Sequence, residues 1–343
     1  MPKLTFLSRF TPVLALGMLL AFGAQAGADP LPSWNDGATK QAIITFVDET
    51  TTPTSPNFVP PAERVATFDQ DGTLWVEHPM YSQVMYILES VPRLVKANPE
   101  LAKTAPYSTV LEILKGNRAA MADLTLPDLE KLAMATLTGM SIETFSAEAK
   151  QWLTTARDPR WNKPYTELTY LPMQEVLQYL RDNDFKTYIV TGGGQDFVRQ
   201  YSERVYGIPP EQVVGSAVSV KYGYAEDGKP FLTKEPKLLV NDNDAGKPEA
   251  IQLMIGRQPL IAFGNSTGDR QMLEYANAGS GARLSLLLLH DDAKREYAYG
   301  PAQGLPDSKV GTFTQALYDE AQEEGWVVIS MKNDWNTIFM FDE

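Results

Sequence analysis

Short apolar runs and longer helical patterns alternate along most of the chain. Runs rich in branched and aromatic residues are typical of buried strands, whereas apolar residues spaced three or four apart are typical of amphipathic helices. The pattern predicts buried strands at 65–68, 186–190, 259–263, 284–289 and 326–331, and a hairpin made of 213–220 and 230–239. Strands that alternate with helices favour an α/β fold with a mainly parallel sheet.

The stretch between the first two predicted strands has a different character. It carries helical patterns at 81–97, 107–116, 126–138 and 142–156, and few strand signals. Pro127 near a helix start, and Gly116 and Gly139 near helix ends, agree with these boundaries. The sequence therefore predicts a helical insertion at 79–166 within an α/β core made of 27–78 and 167–343.

Composition and charge restrict the partners. The 343 residues are 43% hydrophobic, which is ample for a core, and the formal net charge is −13. An acidic surface repels nucleic acid and anionic membranes. We therefore expect a small-molecule partner, with neither nucleic-acid binding nor stable membrane insertion.

Residues 1–26 have the pattern of a secretory signal peptide. Lys3 and Arg9 form a basic start, an apolar stretch follows, and Ala24-Gln25-Ala26 is a typical small-residue cleavage site. The apolar stretch is shorter than the ~20 residues that span a bilayer. The chain has no cysteine, so neither a disulfide nor a lipidated cysteine is expected. We predict cleavage after Ala26 and a periplasmic or secreted protein.

The first buried strand leads into Asp69-Gln70-Asp71-Gly72-Thr73. A calcium loop that starts at Asp69 would need glycine in place of Leu74 and glutamate in place of Met80. Two carboxylates two residues apart in an extended loop can instead face the same phosphate while serving different roles.

Two further segments are suited to anions. Thr191-Gly192-Gly193-Gly194 joins a strand to a helix, where free amides and the helix dipole attract negative charge, although a simple tight turn has the same pattern. Lys247 lies at a predicted helix start, where its charge opposes the helix dipole and needs a negative partner. Lys234 and Lys237 are the alternative lysines.

The third predicted strand leads into Gly264-Asn265-Ser266-Thr267-Gly268-Asp269. Together with the loop at 69–73, the glycine turn and Lys247, this segment resembles the motifs of the haloacid dehalogenase superfamily, in the order found there. The resemblance implies a three-layer, Rossmann-like α/β domain whose mainly parallel sheet is interrupted by an α-helical cap. The long first insertion and the short hairpin look most like the phosphoserine phosphatase branch.

The resemblance also implies roles for individual residues. Asp69 would be the nucleophile, Asp71 the acid/base, and Lys247 the cation that offsets their charge. A Mg²⁺ ion would be held by Asp69, the backbone carbonyl of Asp71, Asn265 and Asp269. The usual residue at position 265 is aspartate, and an amide oxygen can bind Mg²⁺ but adds no charge. The phosphate-binding groups would be Thr73, Thr191 and Gly192.

These roles predict an exported phosphomonoesterase that works through an aspartyl-phosphate and Mg²⁺. Glu77 is expected to contact a positively charged part of the substrate, and His78 and His290 to be structural or surface residues. A phosphotransferase would use the same residues, whereas a dehalogenase would not need Asp71. A non-catalytic phosphate-binding protein is a further alternative, which Asn265 favours.

Overall fold

The computed structural model describes residues 28–342, so the predicted signal peptide and its cleavage site lie outside the described residues. The helices are α1 Ala38–Thr51, α2 Ser82–Ala97, α3 Tyr107–Leu114, α4 Leu126–Leu137, α5 Ile142–Thr155, α6 Leu171–Asp182, α7 Gln195–Val198, α8 Ser202–Tyr206, α9 Gly246–Met254, α10 Arg270–Asn277, α11 Gln315–Glu323 and α12 Met331–Asp334. The strands are β1 Val65–Phe68, β2 Lys186–Gly194, β3 Val213–Tyr224, β4 Pro230–Val240, β5 Ile261–Gly264, β6 Leu284–Leu289 and β7 Val327–Ser330.

The strands form one sheet of seven, in the order β4-β3-β2-β1-β5-β6-β7. All neighbours are parallel except β3 and β4, which form the predicted antiparallel hairpin. The chain builds outwards from β1 to one side through β2 and β3, then returns to the other side of β1 with β5. Ligand sites in open α/β sheets lie at such a switch, beyond the carboxyl ends of the strands.

Alternate residues of the strands pack on opposite faces of the sheet. Ile189 and Leu286 belong to a core shared with α1 and α6, whereas Val190 and Leu287 belong to a second core shared with α9, α10 and α11. Each face of the sheet therefore carries a hydrophobic core, and helices cover both faces. This arrangement confirms the predicted three-layer, mainly parallel α/β fold.

The predicted helical insertion is present as α2 to α5. Buried residues of α2, α3 and α4, among them Leu88, Val110 and Leu132, form a hydrophobic cluster of their own. Helix α5 packs differently, because Phe145 and Trp152 join the main core beside the sheet. The division of the chain at 79 and 166 stays a prediction.

Two local expectations were wrong. Strand β2 does not end before the glycines, because a shift in register lets Gly194 pair with Ser216 of β3. The helix expected next is split into the short helices α7 and α8.

The leucine-rich run at 284–289 is the buried strand β6, as predicted. No helix within residues 28–342 combines the length and the apolar composition needed to cross a bilayer.

Candidate active site

The loop that follows β1 places Asp69 and Asp71 at the centre of the sheet's carboxyl edge. The Asp69 backbone N–H donates to the Phe263 carbonyl of β5 at 2.9 Å, which extends the pairing of the two strands by one residue. The chain then turns at Gly72, whose φ is +76°, and a Cβ there would lie 2.1 Å from Asn265 Nδ2. Only glycine fits this turn, so the glycine lets β1 and β5 bring their functional side chains together.

Lys247 joins the two acidic segments. Its Nζ donates to Asp69 Oδ1 at 2.5 Å, to Asp269 Oδ1 at 2.7 Å and to the Val190 carbonyl at 2.8 Å, and the residue is 1% exposed. Burial alone would lower the pKa of Lys247, but the charges of Asp269 and Asp69 hold it above its ordinary value. The structure thus places the sequence-predicted lysine against the predicted nucleophile.

The alternative lysines lie elsewhere. Lys234 is buried against Asp196 at the start of α7 and lies over the Phe145 ring, while Lys237 is exposed on β4. Neither takes the position that Lys247 occupies beside Asp69.

Asp269 is fully engaged by protein donors. Its Oδ1 accepts from Lys247, and its Oδ2 accepts from the backbone N–H groups of Asn265 and Ser266, both at 2.9 Å. These contacts fix the turn after β5 and hold Lys247 in place. A role for Asp269 as a direct metal ligand stays a prediction.

Carboxyl groups outnumber cations at the site. Asp69, Asp71, Glu77 and Asp269 contribute four carboxyl groups, against which Lys247 provides one cation. Burial raises the pKa of Asp71 to about 6, although a hydrogen bond from the Trp75 indole and the charge of Lys247 lower it in part. Burial also raises the pKa values of Asp69 and Glu77 above their usual range.

This excess of buried carboxyl groups over cations fits a divalent cation, which would favour their ionised forms. Hard cations such as Mg²⁺ bind carboxylate, amide and backbone oxygens, which is the donor set of Asp69, Asp71 and Asn265. Within residues 28–342, no three His, Cys, Asp or Glu side chains form a ready metal-binding group. The predicted donor set does not require one, because it uses a backbone carbonyl and an amide beside the Asp69 carboxylate.

Asn265 is hydrogen-bonded at both ends of its side-chain amide. Its Nδ2 donates to Glu77 Oε1 at 2.7 Å, and its Oδ1 accepts from the Thr73 hydroxyl at 3.3 Å. The Tyr299 hydroxyl donates to the same Glu77 oxygen at 2.8 Å. Thr73 and Glu77, which the sequence predicts to contact substrate, therefore both contact Asn265.

The glycine turn lies next to the carboxylates. The Thr191 hydroxyl accepts from the Gly193 N–H at 3.0 Å, and a Cβ on Gly193 would lie 3.8 Å from Asp71 Oδ2. The neighbouring Gly194 N–H is occupied, since it donates to the Gln83 side chain of α2 at 2.7 Å. The helical insertion is thus bonded directly to the predicted phosphate-binding turn, where Gly192 is exposed.

His290 is buried and takes the structural one of the two roles expected for it. It is 2% exposed, its Nε2 lies 2.7 Å from the Gly72 carbonyl, and its Nδ1 lies 3.0 Å from Glu296 Oε2. A backbone carbonyl only accepts, so the Nε2–H of His290 donates to Gly72. His290 therefore anchors the backbone between Asp71 and Thr73.

Asp242 is a buried carboxylate that the sequence analysis did not single out. It is 0% exposed, and neither of its oxygens has a hydrogen-bond partner of normal geometry among the described residues. Burial raises its pKa to about 7, although Lys247 and the Thr191 backbone N–H lower it in part. Little in the sequence indicates that Asp242 is buried, because an Asn- and Asp-rich stretch is typical of an exposed loop.

We expect Asp242 to make stability depend on pH. Its pKa is about 7 in the folded protein and near its ordinary value of 3.8 in the unfolded chain. The folded state therefore binds more protons between these values, and stability falls as pH rises through that window, by at most about 4 kcal/mol. Asp242→Asn should make the fall measured in urea titrations across pH smaller, with the remainder due to the raised pKa values of Asp69, Asp71 and Glu77, whereas Asp244→Asn, at an exposed neighbour, should leave it unchanged. An unchanged pH dependence in Asp242→Asn would contradict the assignment.

Comparison with known proteins agrees with this geometry. The model of the haloacid dehalogenase-like hydrolase family matches residues 66–274, and the chain belongs to this family. The match spans the loop after β1, the glycine turn, Lys247 and the turn after β5, so it confirms the superfamily resemblance of these motifs. No curated protein sequence matches the chain.

Several solved structures are similar. A functionally unknown protein from Anaerococcus prevotii has 14% identity and a TM-score of 0.49, covering 74% of this chain and 86% of its own. A protein of unknown function from Bordetella pertussis has 16% identity and a TM-score of 0.45, covering 78% and 98%. A phosphoserine phosphohydrolase-like protein from Francisella tularensis has 20% identity and a TM-score of 0.35, covering 66% and 88%.

Proposed function

We propose that this protein is an exported phosphomonoesterase that hydrolyses small phosphate esters through an aspartyl-phosphate on Asp69, with Mg²⁺ as cofactor. The contact of Lys247 with both Asp69 and Asp269 carries the proposal, because it places a buried cation beside a carboxylate at the end of the central strand. Such a cation offsets the repulsion between a carboxylate nucleophile and a phosphate.

In the first step, an oxygen of Asp69 attacks phosphorus and the bond from phosphorus to the ester oxygen breaks. Asp71 gives its proton to the leaving oxygen, and its raised pKa keeps a proton available near neutral pH. Lys247 stays bonded to Asp69 and stabilises the charge that develops. The glycine turn at 191–194 lies beside Asp71 and offers the Thr191 hydroxyl and Gly192 to the phosphate.

In the second step, Asp71 takes a proton from water, the water oxygen attacks phosphorus, and the bond to Asp69 breaks. Inorganic phosphate leaves and both carboxyl groups return to their starting states. Asp69, the carbonyl of Asp71 and Asn265 would hold Mg²⁺, which supplies positive charge against the phosphate oxygens.

A non-catalytic phosphate-binding protein is the second candidate, and Asn265 favours it because an amide brings no charge to the metal site. A phosphotransferase would share the first step and differ in the acceptor. A dehalogenase is disfavoured, since it has no need of an acid/base at Asp71, which the Trp75 indole holds in place with a hydrogen bond of 2.6 Å.

The test is release of inorganic phosphate from p-nitrophenyl phosphate and a panel of phosphomonoesters by the protein without residues 1–26. We expect turnover with Mg²⁺ and none with a chelator. Ranking the phosphomonoesters by their rate of phosphate release would show which leaving groups the helical insertion admits. No release from any ester with any divalent metal would favour the binding protein.

Export is proposed from residues 1–26 alone. Cell fractionation with a tag at the carboxyl terminus should place the processed chain outside the cytoplasm, beginning at Gly27. A chain that keeps its first 26 residues and stays in the cytoplasm would contradict this part of the proposal.

A further inference from the structure

The position of Asn265 requires another source of negative charge. This residue lies at the end of β5, where the family resemblance places a metal-binding aspartate. Its amide oxygen can bind Mg²⁺, but it leaves the site one carboxylate short.

Glu77 can supply the missing carboxylate, because it contacts Asn265 directly. Glu77 Oε1 accepts from Asn265 Nδ2 at 2.7 Å, and Glu77 is 2% exposed. The two residues are 188 positions apart in the chain, yet both pack against the α-carbon of Gly72, where a Cβ would lie 2.1 Å from Asn265 Nδ2 and 2.4 Å from Glu77 Oε1. The pair therefore lies directly behind the turn that carries Asp71.

The hydrogen bonds fix which end of the amide is free. A bound cation favours the ionised form of a nearby carboxylate, and an ionised carboxylate only accepts, so Glu77 takes the amino end of Asn265 as its partner. The oxygen end is then turned the other way, where the Thr73 hydroxyl donates to it at 3.3 Å. An amide oxygen has two lone pairs, and one remains for a metal ion after Thr73 has bound.

Glu77 is itself held rigidly. Tyr299 donates to Oε1 at 2.8 Å, and a Cβ on Gly311 would lie 1.7 Å from the same oxygen. The carboxylate is thus enclosed by Asn265, Tyr299 and the backbone of Gly311. This enclosure favours a structural partner for the charge over a contact with a passing substrate.

We propose that Asn265 and Glu77 act as one unit in place of a metal-binding aspartate: Asn265 presents the ligand oxygen, while Glu77 orients the amide and supplies the negative charge. The inference rests on the proposed Mg²⁺ site and assigns Glu77 a positioning role. It differs from the sequence-based prediction that Glu77 contacts the substrate.

The test moves the negative charge from position 77 to position 265. Glu77→Gln, and the double variant Glu77→Gln with Asn265→Asp, are compared with the wild-type protein for Mn²⁺ binding by electron paramagnetic resonance, without substrate. We expect Glu77→Gln to weaken Mn²⁺ binding by about tenfold or more, since it removes one charge near the ion. The double variant restores the charge at position 265 and should recover most of the affinity.

Glu175→Gln is the matched control, because Glu175 is a partly buried glutamate bonded to Ser33, outside this network. It should bind Mn²⁺ as the wild type does. Thermal melts in a chelator check that each variant folds, and a smaller rise in melting temperature on adding Mg²⁺ should accompany weaker binding.

Equal Mn²⁺ affinity in Glu77→Gln and the wild type would overturn the inference, as would a loss that Asn265→Asp fails to restore. A changed KM for cationic esters at normal Mn²⁺ affinity would also overturn it, in favour of substrate contact. Because binding is measured without substrate, failure here is distinct from failure of the proposed function, which would appear as absence of turnover in the wild type.

Discussion

Asp69→Asn is expected to abolish phosphate release, with a loss on the order of 10⁴-fold or more. An amide is a poor nucleophile, and no other carboxylate can take the position that Asp69 holds at the end of β1. The fold should remain, because the Asp69 backbone still pairs with Phe263 and Lys247 keeps its bond to Asp269. Burial and the charge of Asp269 raise the pKa of Asp69, so replacing this carboxylate should not lower stability in a chelator.

Phosphate release is measured on the purified, metal-loaded protein, and unfolding is followed by circular dichroism. Asp123→Asn serves as the control, since Asp123 is exposed in the helical insertion. Phosphatase turnover near the wild-type rate in a folded Asp69→Asn protein would exclude Asp69 as the nucleophile.

Lys247→Met is expected to lower both activity and stability. The substitution leaves Asp69 and Asp269 buried without their shared cation, and removing one partner of a buried ion pair costs about 3–5 kcal/mol. Turnover should fall on the order of 10³-fold, because charge that develops on the phosphate loses a fixed partner. Urea unfolding measures the first effect and phosphate release the second.

A second substitution separates the two effects. Adding Asp269→Asn removes one of the unpaired carboxylates, so it should recover part of the stability of Lys247→Met without recovering turnover. Lys229→Met is the control, because Lys229 is exposed in the turn between β3 and β4. If Lys247→Met were as stable as the wild type, the buried contacts of Lys247 would not have the energetic role assigned here.

The sequence was sufficient to predict the strands of the sheet and the candidate site residues that follow them. Buried strands are short apolar runs, and the residue that follows such a run is placed at the edge of the sheet by the strand itself. Asp69, Thr191 and Asn265 could be grouped on this basis. Lys247 could be preferred to Lys234 because a helix start fixed its position, and the structure shows Lys234 paired with Asp196 instead.

Contacts between distant loops could not be predicted in the same way. Tyr299 is 222 positions from Glu77, and His290 is 218 positions from Gly72. Neither pair carries a local signal, because their contacts depend on how the segments after β1 and β6 fold over the site. The burial of Asp242 was missed for the same reason: its polar neighbours predict exposure, and only the packing against Thr191 and Lys247 reverses it.

The covalent intermediate is tested most directly in Asp71→Asn with p-nitrophenyl phosphate. Its leaving group departs without a proton, so Asp69 should still be phosphorylated, while hydrolysis of the aspartyl-phosphate lacks its base. An Asn at position 71 can keep the hydrogen bond from the Trp75 indole. We therefore expect a burst of p-nitrophenol equal to the enzyme concentration, and peptide mass spectrometry after acid quench should find one phosphoryl group on Asp69. A phosphoryl group on another residue, or the lack of both burst and phosphoprotein while the wild type turns over, would contradict the account.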